Sequence, residues 1–226
     1  MEHPLAHLLT EVAAGKFPPP DGGVTVMSPP DDRLSGVLAF TGHHVVAADV
    51  SPEWVRSRLR PGDLSALLNP PFLAALTEFT GRRVGSIDAV MVAPPTTDPS
   101  ADPSADRATD RATDQQEPEL ILHPADGVDH GRLAMAQRYR TGVRAWQCDG
   151  GLVVLGRGLA GRWEVAVEVD RRARGRGLGR RLFAIARRLV DGAVWAQVAP
   201  GNVASMRALL EAGYRPGGAE ALLVRS

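Results

Sequence analysis

Val169–Arg181, with the sequence VDRRARGRGLGRR, is the most informative segment of the chain. It follows Trp163–Val169, whose alternating pattern predicts a strand, and leads into Leu178–Leu189, whose apolar residues recur at helical spacing. A strand that turns directly into a helix points several backbone N–H groups and the positive end of the helix dipole at one place. Glycines at positions 175, 177 and 179 keep side chains away from those amides, and the arginines offer charge-assisted contacts. The stretch therefore predicts a cradle for a pyrophosphate.

Three other phosphate- or nucleic-acid-binding motifs do not match this stretch: a Walker loop, a Rossmann fingerprint and an RNA-binding tail. The G-K-[ST] ending of a Walker loop is absent, and an arginine stands where a Rossmann fingerprint needs its first glycine. Arginine- and glycine-rich stretches are also typical of RNA-binding tails, but this one lies between a predicted strand and a predicted helix. It contains no interleaved aromatic residue that could stack on a base. We therefore expect no nucleic-acid partner.

Two motifs in this half of the chain resemble those of the GCN5-related N-acetyltransferases, the GNAT superfamily. Arg174-x-x-Gly177-x-Gly179 resembles the family's acetyl-CoA signature, [RQ]-x-x-G-x-[GA]. Asn202-Val-Ala-Ser205, followed by a helix that ends at Gly213-Tyr214, is similar to its second block. The resemblance covers about residues 120–226. It implies an α/β fold with a mixed, mostly antiparallel GNAT-type sheet flanked by helices.

The resemblance also implies the reaction and its cofactor site. Acetyl-CoA would be the co-substrate, and a primary amine of a small molecule or a protein would attack its thioester directly. The pantetheine arm would lie beside the central strand, between two strands that splay apart, and the pyrophosphate would meet the glycine-rich turn. The residues implied to bind the cofactor are Val167, Val169, Arg174, Gly175, Arg176, Gly177, Leu178, Gly179, Arg180, Asn202 and Ser205.

The candidate catalytic residues are Glu164 and Glu168, which are four residues apart and therefore share one face of the strand. Family members often place a glutamate base on this strand, and burial would raise its pKa to suit the task. The alternative is that these carboxylates are solvated or form structural ion pairs with arginines. Many family members carry a tyrosine seven residues after the second-block asparagine, positioned to protonate the coenzyme A thiolate. Here that position is Leu209. A non-catalytic acetyl-CoA- or CoA-binding or sensing module therefore remains the alternative function.

A polar segment before this strand is the candidate acceptor side. The corresponding family segment shapes the acceptor pocket, which makes His123, Asp126, Asp129 and His130 substrate-side candidates. Their spacing fits no zinc pattern, so we predict no metal site. Another histidine pair, His43-His44, lies near a predicted turn.

Composition divides the chain into three parts. Residues 95–119 contain the repeats DPSADPSA and DRATDRAT, which predict a disordered acidic linker. It separates an N-terminal α/β lobe, residues 1–94, from the acetyltransferase-like domain, residues 120–226. The lobe either completes the acceptor pocket or is a degenerate copy of the fold.

Charge and hydropathy exclude several classes of protein. The 26 basic and 26 acidic side chains cancel, which excludes a generally basic nucleic-acid coat. The single cysteine, Cys148, excludes an intramolecular disulfide and a cysteine-based zinc cluster. With neither a long apolar run nor a signal-peptide pattern, we expect a cytoplasmic monomer or homodimer with no membrane partner.

Local patterns predict most of the remaining elements. In the first half they predict two strands within residues 36–50, a helix capped by Ser51, two short helices within residues 64–79, and a strand at residues 86–92. In the second half they predict further strands at residues 120–122, 143–147, 152–156, 193–198 and 221–224. They also predict helices at residues 131–139 and 202–212.

Overall fold

A computed structural model describes residues 2–60, 63, 65–96, 120–125 and 127–225. Its helices are α1 (Pro4–Ala13), α2 (Pro52–Arg56), α3 (Pro70–Thr80), α4 (Gly131–Tyr139), α5 (Leu178–Ala186) and α6 (Val203–Glu211). Its strands are β1 (Gly23–Met27), β2 (Leu34–Phe40), β3 (His43–Ala47), β4 (Arg82–Ala93), β5 (His123–Pro124), β6 (Thr141–Cys148), β7 (Gly151–Arg157), β8 (Trp163–Val169), β9 (Val194–Val198) and β10 (Arg215–Arg225). Nearly all of the predicted linker lies outside the described residues.

All these strands form one sheet, in the order β1-β3-β2-β10-β4-β9-β8-β7-β6-β5. Among the described strands only two pairs are parallel, β1 with β3 and β8 with β9. The predicted α/β class, with a mixed and mostly antiparallel sheet flanked by helices, is therefore confirmed. The short strand predicted at residues 120–122 is wrong, since the pairing with β6 begins at His123.

The last strand of the chain joins the two halves of the sequence. β10 lies between β2 and β4 and pairs antiparallel with both of them. β4 pairs in turn with β9. The strands from residues 23–93 and those from residues 123–225 therefore share one hydrogen-bonded sheet.

Helices cover both faces of this sheet. Alternate β4 residues show the division, because Val90 and Val92 pack in the core beneath α1, whereas Met91 and Ala93 pack beneath α5 and α6. Helix α4 packs on the α1 face, and α2 and α3 pack on the α5 face. In the part of the chain that the structure describes, no helix has both the length and the apolar composition of a membrane span.

A buried cluster of charged side chains ties β8, β9 and β10 together. Arg162 donates from Nε to Glu164 Oε1 at 2.9 Å and from Nη2 to Glu220 Oε1 at 2.6 Å. Arg140, just after α4, donates to the other Glu164 oxygen at 2.9 Å. Gln197 of β9 donates to Glu220 Oε1 at 2.7 Å and accepts from Arg140 Nη2 at 3.2 Å. Two guanidinium groups thus balance two carboxylates inside the protein.

The cluster sets the protonation of Glu164, whose side chain is 3% exposed. Burial alone would raise the pKa of this carboxyl, but the Arg162 and Arg140 guanidinium groups hold the pKa below its ordinary value. The raised pKa predicted for a buried base is therefore wrong for Glu164. Its carboxylate is ionised and fully engaged, which matches the structural ion pair that the sequence left open.

This lowered pKa makes the fold's stability depend on pH. The contribution of Glu164 is complete above the pKa of an unfolded glutamate, about 4.3, and is lost as the pH falls through the lower pKa of the folded state. Glu164→Gln leaves two buried arginines short of a partner, so at pH 7 we expect the free energy of unfolding to fall by about 3–5 kcal/mol. Urea unfolding across a pH series should show this difference narrowing below about pH 4. Glu78→Gln, at an exposed carboxylate on α3, is the control. If Glu164→Gln lowers the free energy of unfolding by the same amount at every pH, the prediction is contradicted.

Candidate functional site

A cleft of about 610 Å³ opens where β8 and β9 part. The two strands pair only at Trp163 with Val194 and at Glu164 with Trp195. Beyond that point β8 keeps its pairing with β7 up to Val169 but has no register partner on β9. The lining includes the end of β8, the following turn and the first turns of α5 and α6.

Almost all the residues predicted to bind the cofactor surround this one cleft. Those that line it are Val167, Val169, Arg174, Gly175, Gly177, Leu178, Gly179, Arg180, Asn202 and Ser205. Arg176, at the exposed tip of the turn, is the exception. Two separate sequence motifs thus converge on the gap between two strands.

The turn before α5 has the backbone geometry of an anion cradle. Gly175 and Gly177 have φ values of 74° and 75°, in the left-handed region that favours glycine. Gly177 is the N-cap of α5, and no side chain caps this helix end. The first-turn N–H groups of α5 therefore keep their hydrogen-bonding capacity for another acceptor. Arg174 donates from Nε to the Val169 carbonyl at 3.0 Å and fastens the turn to the end of β8.

Neither the backbone conformation nor crowding by protein atoms requires a glycine at position 179. Its φ lies outside the left-handed region, and a Cβ built on it would meet Val169 Cγ2 at 3.7 Å and Ala208 Cβ at 3.8 Å. Both are ordinary van der Waals contacts. The protein could hold alanine at this position, so the missing side chain leaves room on the cleft wall.

The charged lining of the cleft is positive on balance. Four arginines, Arg132, Arg174, Arg180 and Arg207, face two glutamates, Glu168 and Glu211. The positive end of the α5 dipole adds to this excess. Arg132 and Arg207 were not predicted from the sequence. Arg207 had a recognisable signal, because it lies three residues after Ala204, another lining residue, on the helix that Asn202 opens.

Asn202 has a structural task in addition to any contact with a ligand. Its side-chain Oδ1 accepts from the Ser205 N–H at 3.1 Å and caps α6. The amide Nδ2 stays available to donate into the cleft, so Asn202 can cap the helix and contact a ligand at the same time.

Of the two candidate catalytic glutamates, only Glu168 reaches the cleft. Its side chain is 39% exposed, and Oε2 accepts from Arg132 Nε at 2.9 Å. The hydrogen bond from Arg132 lowers the pKa of Glu168. Glu164 lies on the same face, as predicted, but its carboxylate is held in the buried cluster and does not line the cleft.

The predicted substrate-side residues separate into two groups. His130 lies beside the cleft: its Nε2 is 3.9 Å from Glu168 Oε1, and its Nδ1 accepts from the Arg132 N–H at 3.1 Å. His123 on β5 and Asp129 are exposed and do not line the cleft, and Asp126 lies outside the described residues. Within residues 2–60, 63, 65–96, 120–125 and 127–225, no group of three or more His, Cys, Asp or Glu side chains could hold a metal.

Among the described residues, no tyrosine is placed to act as a general acid in the cleft. Leu209 is fully buried in the core beneath α5 and α6. Burial raises the pKa of Tyr214, whose hydroxyl donates to the Phe183 carbonyl at 3.2 Å. The cleft lining, among the residues that the structure describes, contains no tyrosine, histidine or cysteine.

Comparisons with known proteins find similar solved structures at low sequence identity. No protein-family model matches the sequence, and no curated protein sequence matches it. The structure is similar to a GCN5-related N-acetyltransferase from Kribbella flavida, with 16% identity and a TM-score of 0.36 over 68% of this chain and 63% of that one. It is also similar to a tandem GNAT protein from the clavulanic acid biosynthesis pathway, with 16% identity and a TM-score of 0.37 over 69% of this chain and 58% of that one. A third similar structure, from Novosphingobium aromaticivorans DSM 12444, is described as a GNAT-family acetyltransferase, with 18% identity and a TM-score of 0.38 over 65% of this chain and 68% of that one.

Proposed function

We propose that this protein is a GNAT-type N-acetyltransferase that binds acetyl-CoA in the β8–β9 cleft and transfers the acetyl group to a primary amine. One observation carries the proposal. Two motifs that resemble the family's acetyl-CoA blocks fold around a single cleft, at the point where two parallel strands part. The residues present suit such a co-substrate in three respects: its phosphates, its amide-containing arm and its thioester.

The turn before α5 supports binding of the phosphates. A Cβ at Gly175 or Gly177 would meet no protein atom within 4 Å, so the space beside these amides is free. The uncapped first turn of α5 provides N–H donors and a positive dipole. Arg180 and Arg207 line the same space and can make charge-assisted contacts with phosphate oxygens.

The open edge of β8 supports binding of the pantetheine arm. Residues 165–169 pair with β7 on one side, but on the other side the described strands offer no partner. Unpaired strand edges bind extended segments through backbone hydrogen bonds. The amides of pantetheine would replace the missing strand here, with Val167 and Val169 supplying backbone donors and acceptors.

Glu168 is the cleft residue best placed to assist the acceptor amine. Its lowered pKa keeps it ionised at neutral pH, so it attracts an ammonium group and orients it. We assign to it the transfer of the amine proton to solvent through a water molecule. A backbone N–H on the open edge of β8 would stabilise the oxyanion that forms at the thioester carbonyl. Because thiols have a pKa near 8.5, the thiolate can leave near neutral pH without an acid.

A non-catalytic acetyl-CoA- or CoA-binding module is the second candidate function. Two observations favour it. Leu209 is buried where many family members carry a tyrosine that acts as the acid, and the described lining contains no tyrosine, histidine or cysteine. Release of free thiol from acetyl-CoA, measured with a panel of small amines and peptide N-termini, separates the two functions. Tight binding of acetyl-CoA with no thiol release for any amine would establish the module and exclude the enzyme.

The cradle is tested at Gly179. Gly179→Glu should place a carboxylate on the cleft wall and weaken acetyl-CoA binding at least about tenfold, or about 1.4 kcal/mol. Isothermal titration calorimetry with acetyl-CoA measures the effect. Gly179 suits this test better than Gly177, whose left-handed φ would strain any other residue. Gly127→Glu, at a position with no protein atom near its Cβ and outside the cleft, is the matched control. Equal affinities for the two variants would refute the cradle.

The role of Glu168 is tested by Glu168→Gln, which keeps the size of the side chain and removes its charge. We expect kcat for the best amine to fall by about 10²–10⁴-fold, with little change in acetyl-CoA affinity. Glu211→Gln removes another carboxylate from the same cleft and should leave kcat within about threefold of the original value. If both variants lose kcat equally, the effect is one of general cleft charge, and Glu168 has no special part in the reaction.

A further inference from the structure

A second group of reactive side chains lies at the far edge of the sheet, on β1 and β3. Within the described sheet, four strands lie between β1 and β9, and the end of β8 that lines the cleft lies beyond them. Asp21, His43 and Thr25 form a continuous hydrogen-bonded chain there. We propose that this chain is a hydroxyl–imidazole–carboxylate relay in which Thr25 is a nucleophile toward activated acyl esters.

The geometry fixes the role of each group. Asp21 Oδ1 accepts from the Gly23 N–H at 2.7 Å and lies 2.8 Å from His43 Nδ1. Because an ionised carboxylate can only accept, the proton of the neutral ring is on Nδ1. The other ring nitrogen, Nε2, is then an acceptor, and it lies 3.0 Å from Thr25 Oγ1. A base within hydrogen-bonding distance of a hydroxyl, and oriented by a carboxylate, is the arrangement that activates an oxygen nucleophile.

The imidazole is the shielded member of this chain, whereas the Asp21 carboxylate, 51% exposed, and the Thr25 hydroxyl are open to solvent. The His43 side chain is only 11% exposed, so bulk water competes little for its two bonds. Thr25 is exposed on the outermost strand, where a substrate can reach it. Gly42, next to His43, lies so close to the chain at Pro20 that a Cβ would come within 2.9 Å of it. The backbone next to the base is therefore packed closely against the chain at Pro20.

An exposed aromatic ring and a strand edge lie on this side of the sheet and are available to an acyl substrate. Phe40 of β2 pairs with His43 of β3. The ring of Phe40 makes an edge-to-face contact, with 6.4 Å between ring centroids, with Phe17, which is 49% exposed. Phe40 itself is buried in the core, so the exposed ring of Phe17 is the apolar surface available to the body of an ester. β1 is the edge strand of the described sheet, so part of its backbone N–H groups lack a strand partner and can donate to an acyl oxygen.

Strand pairing does not require this chain of hydrogen bonds. β1 and β3 pair in parallel over five register positions, from Gly23 with His43 to Met27 with Ala47. Val24 and Val26 also pack into the core on the opposite face of the sheet. Removing the Thr25 hydroxyl should therefore leave the strand in place, which makes its chemistry testable apart from its structure.

The proposed step is acyl transfer to oxygen. Thr25 Oγ1 attacks the carbonyl carbon, a new C–O bond forms, and the bond from that carbon to the leaving oxygen breaks. The hydroxyl proton passes to His43 Nε2, and the leaving group departs with its bonding electron pair. His43 then returns the proton to the leaving group or to water, and Thr25 carries the acyl ester. Asp21 is a positioning residue, because it orients the imidazole without touching the substrate.

The experiment uses the full chain and p-nitrophenyl acetate, which depends on neither acetyl-CoA nor the cleft. Nitrophenolate release is followed by absorbance, and intact mass with peptide mapping locates any acetyl group. We expect acetylation at Thr25, or nitrophenolate turnover that depends on Thr25. Thr25→Val should abolish that component, and Thr25→Ser should restore it. His43→Gln should lower its rate at least about 100-fold, and Asp21→Asn should lower it less, with the melting temperature of Asp21→Asn unchanged.

Thr77→Val removes another threonine hydroxyl, one that donates to a helix carbonyl, and should change nothing. Acetyl groups found on Lys16 or other sites but not on Thr25, with the rate unchanged in Thr25→Val, would overturn the proposal. So would acetylation of Thr25 that proceeds equally in His43→Gln, because the imidazole would then not be its base. If His43→Gln fails to fold, Thr25→Val and Thr25→Ser still decide the matter.

Discussion

Arg162 is the side chain on which the geometry of the cleft depends. Its guanidinium bridges Glu164 of β8 and Glu220 of β10, and all three side chains are buried. Removing one member of such a cluster leaves a charge without a partner in a region of low dielectric, which costs far more than the intact pair contributes. The three side chains must therefore stay together. Because Gln197 of β9 also bonds Glu220, the strands are fixed in relation to each other just before β8 and β9 part.

This constraint links the two halves of the chain to the candidate site. Glu220 lies on β10, between β2 and β4. The position of the branch point, where β8 and β9 part, therefore depends on strands that contribute nothing to the cleft lining. From the branch point, β8 runs to Val169, where Arg174 fastens the turn, and the turn positions the N-terminus of α5. The zero net charge of the sequence is compatible with a positive cleft, because the basic residues concentrate around this turn.

Local signals made much of this predictable, and long-range contacts explain what was not. The strand at Trp163–Val169 and the helix at Gly131–Tyr139 were predicted with their observed bounds, because alternation, helical spacing and capping act within a few residues. A structural ion pair of Glu164 was one of the alternatives, but its partner could not be predicted: the alternating pattern gives the face of the strand and does not identify Arg140, 24 residues earlier. The Asp21–His43 contact, which spans 22 residues, could not be predicted either, because only the parallel pairing of β1 with β3 brings the two residues together.

The position of Leu209 shows how a motif and its geometry can separate. Successive helical residues are rotated by about 100°, so a helix that turns Ala204, Ala208 and Glu211 toward the cleft turns residue 209 toward the core. In the proposed reaction, the departing thiolate would form in a cleft whose arginines and helix dipole already favour a negative charge. Such a field lowers the need for a proton at the moment of departure, which makes the missing acid a smaller obstacle to transfer than the sequence alone suggests.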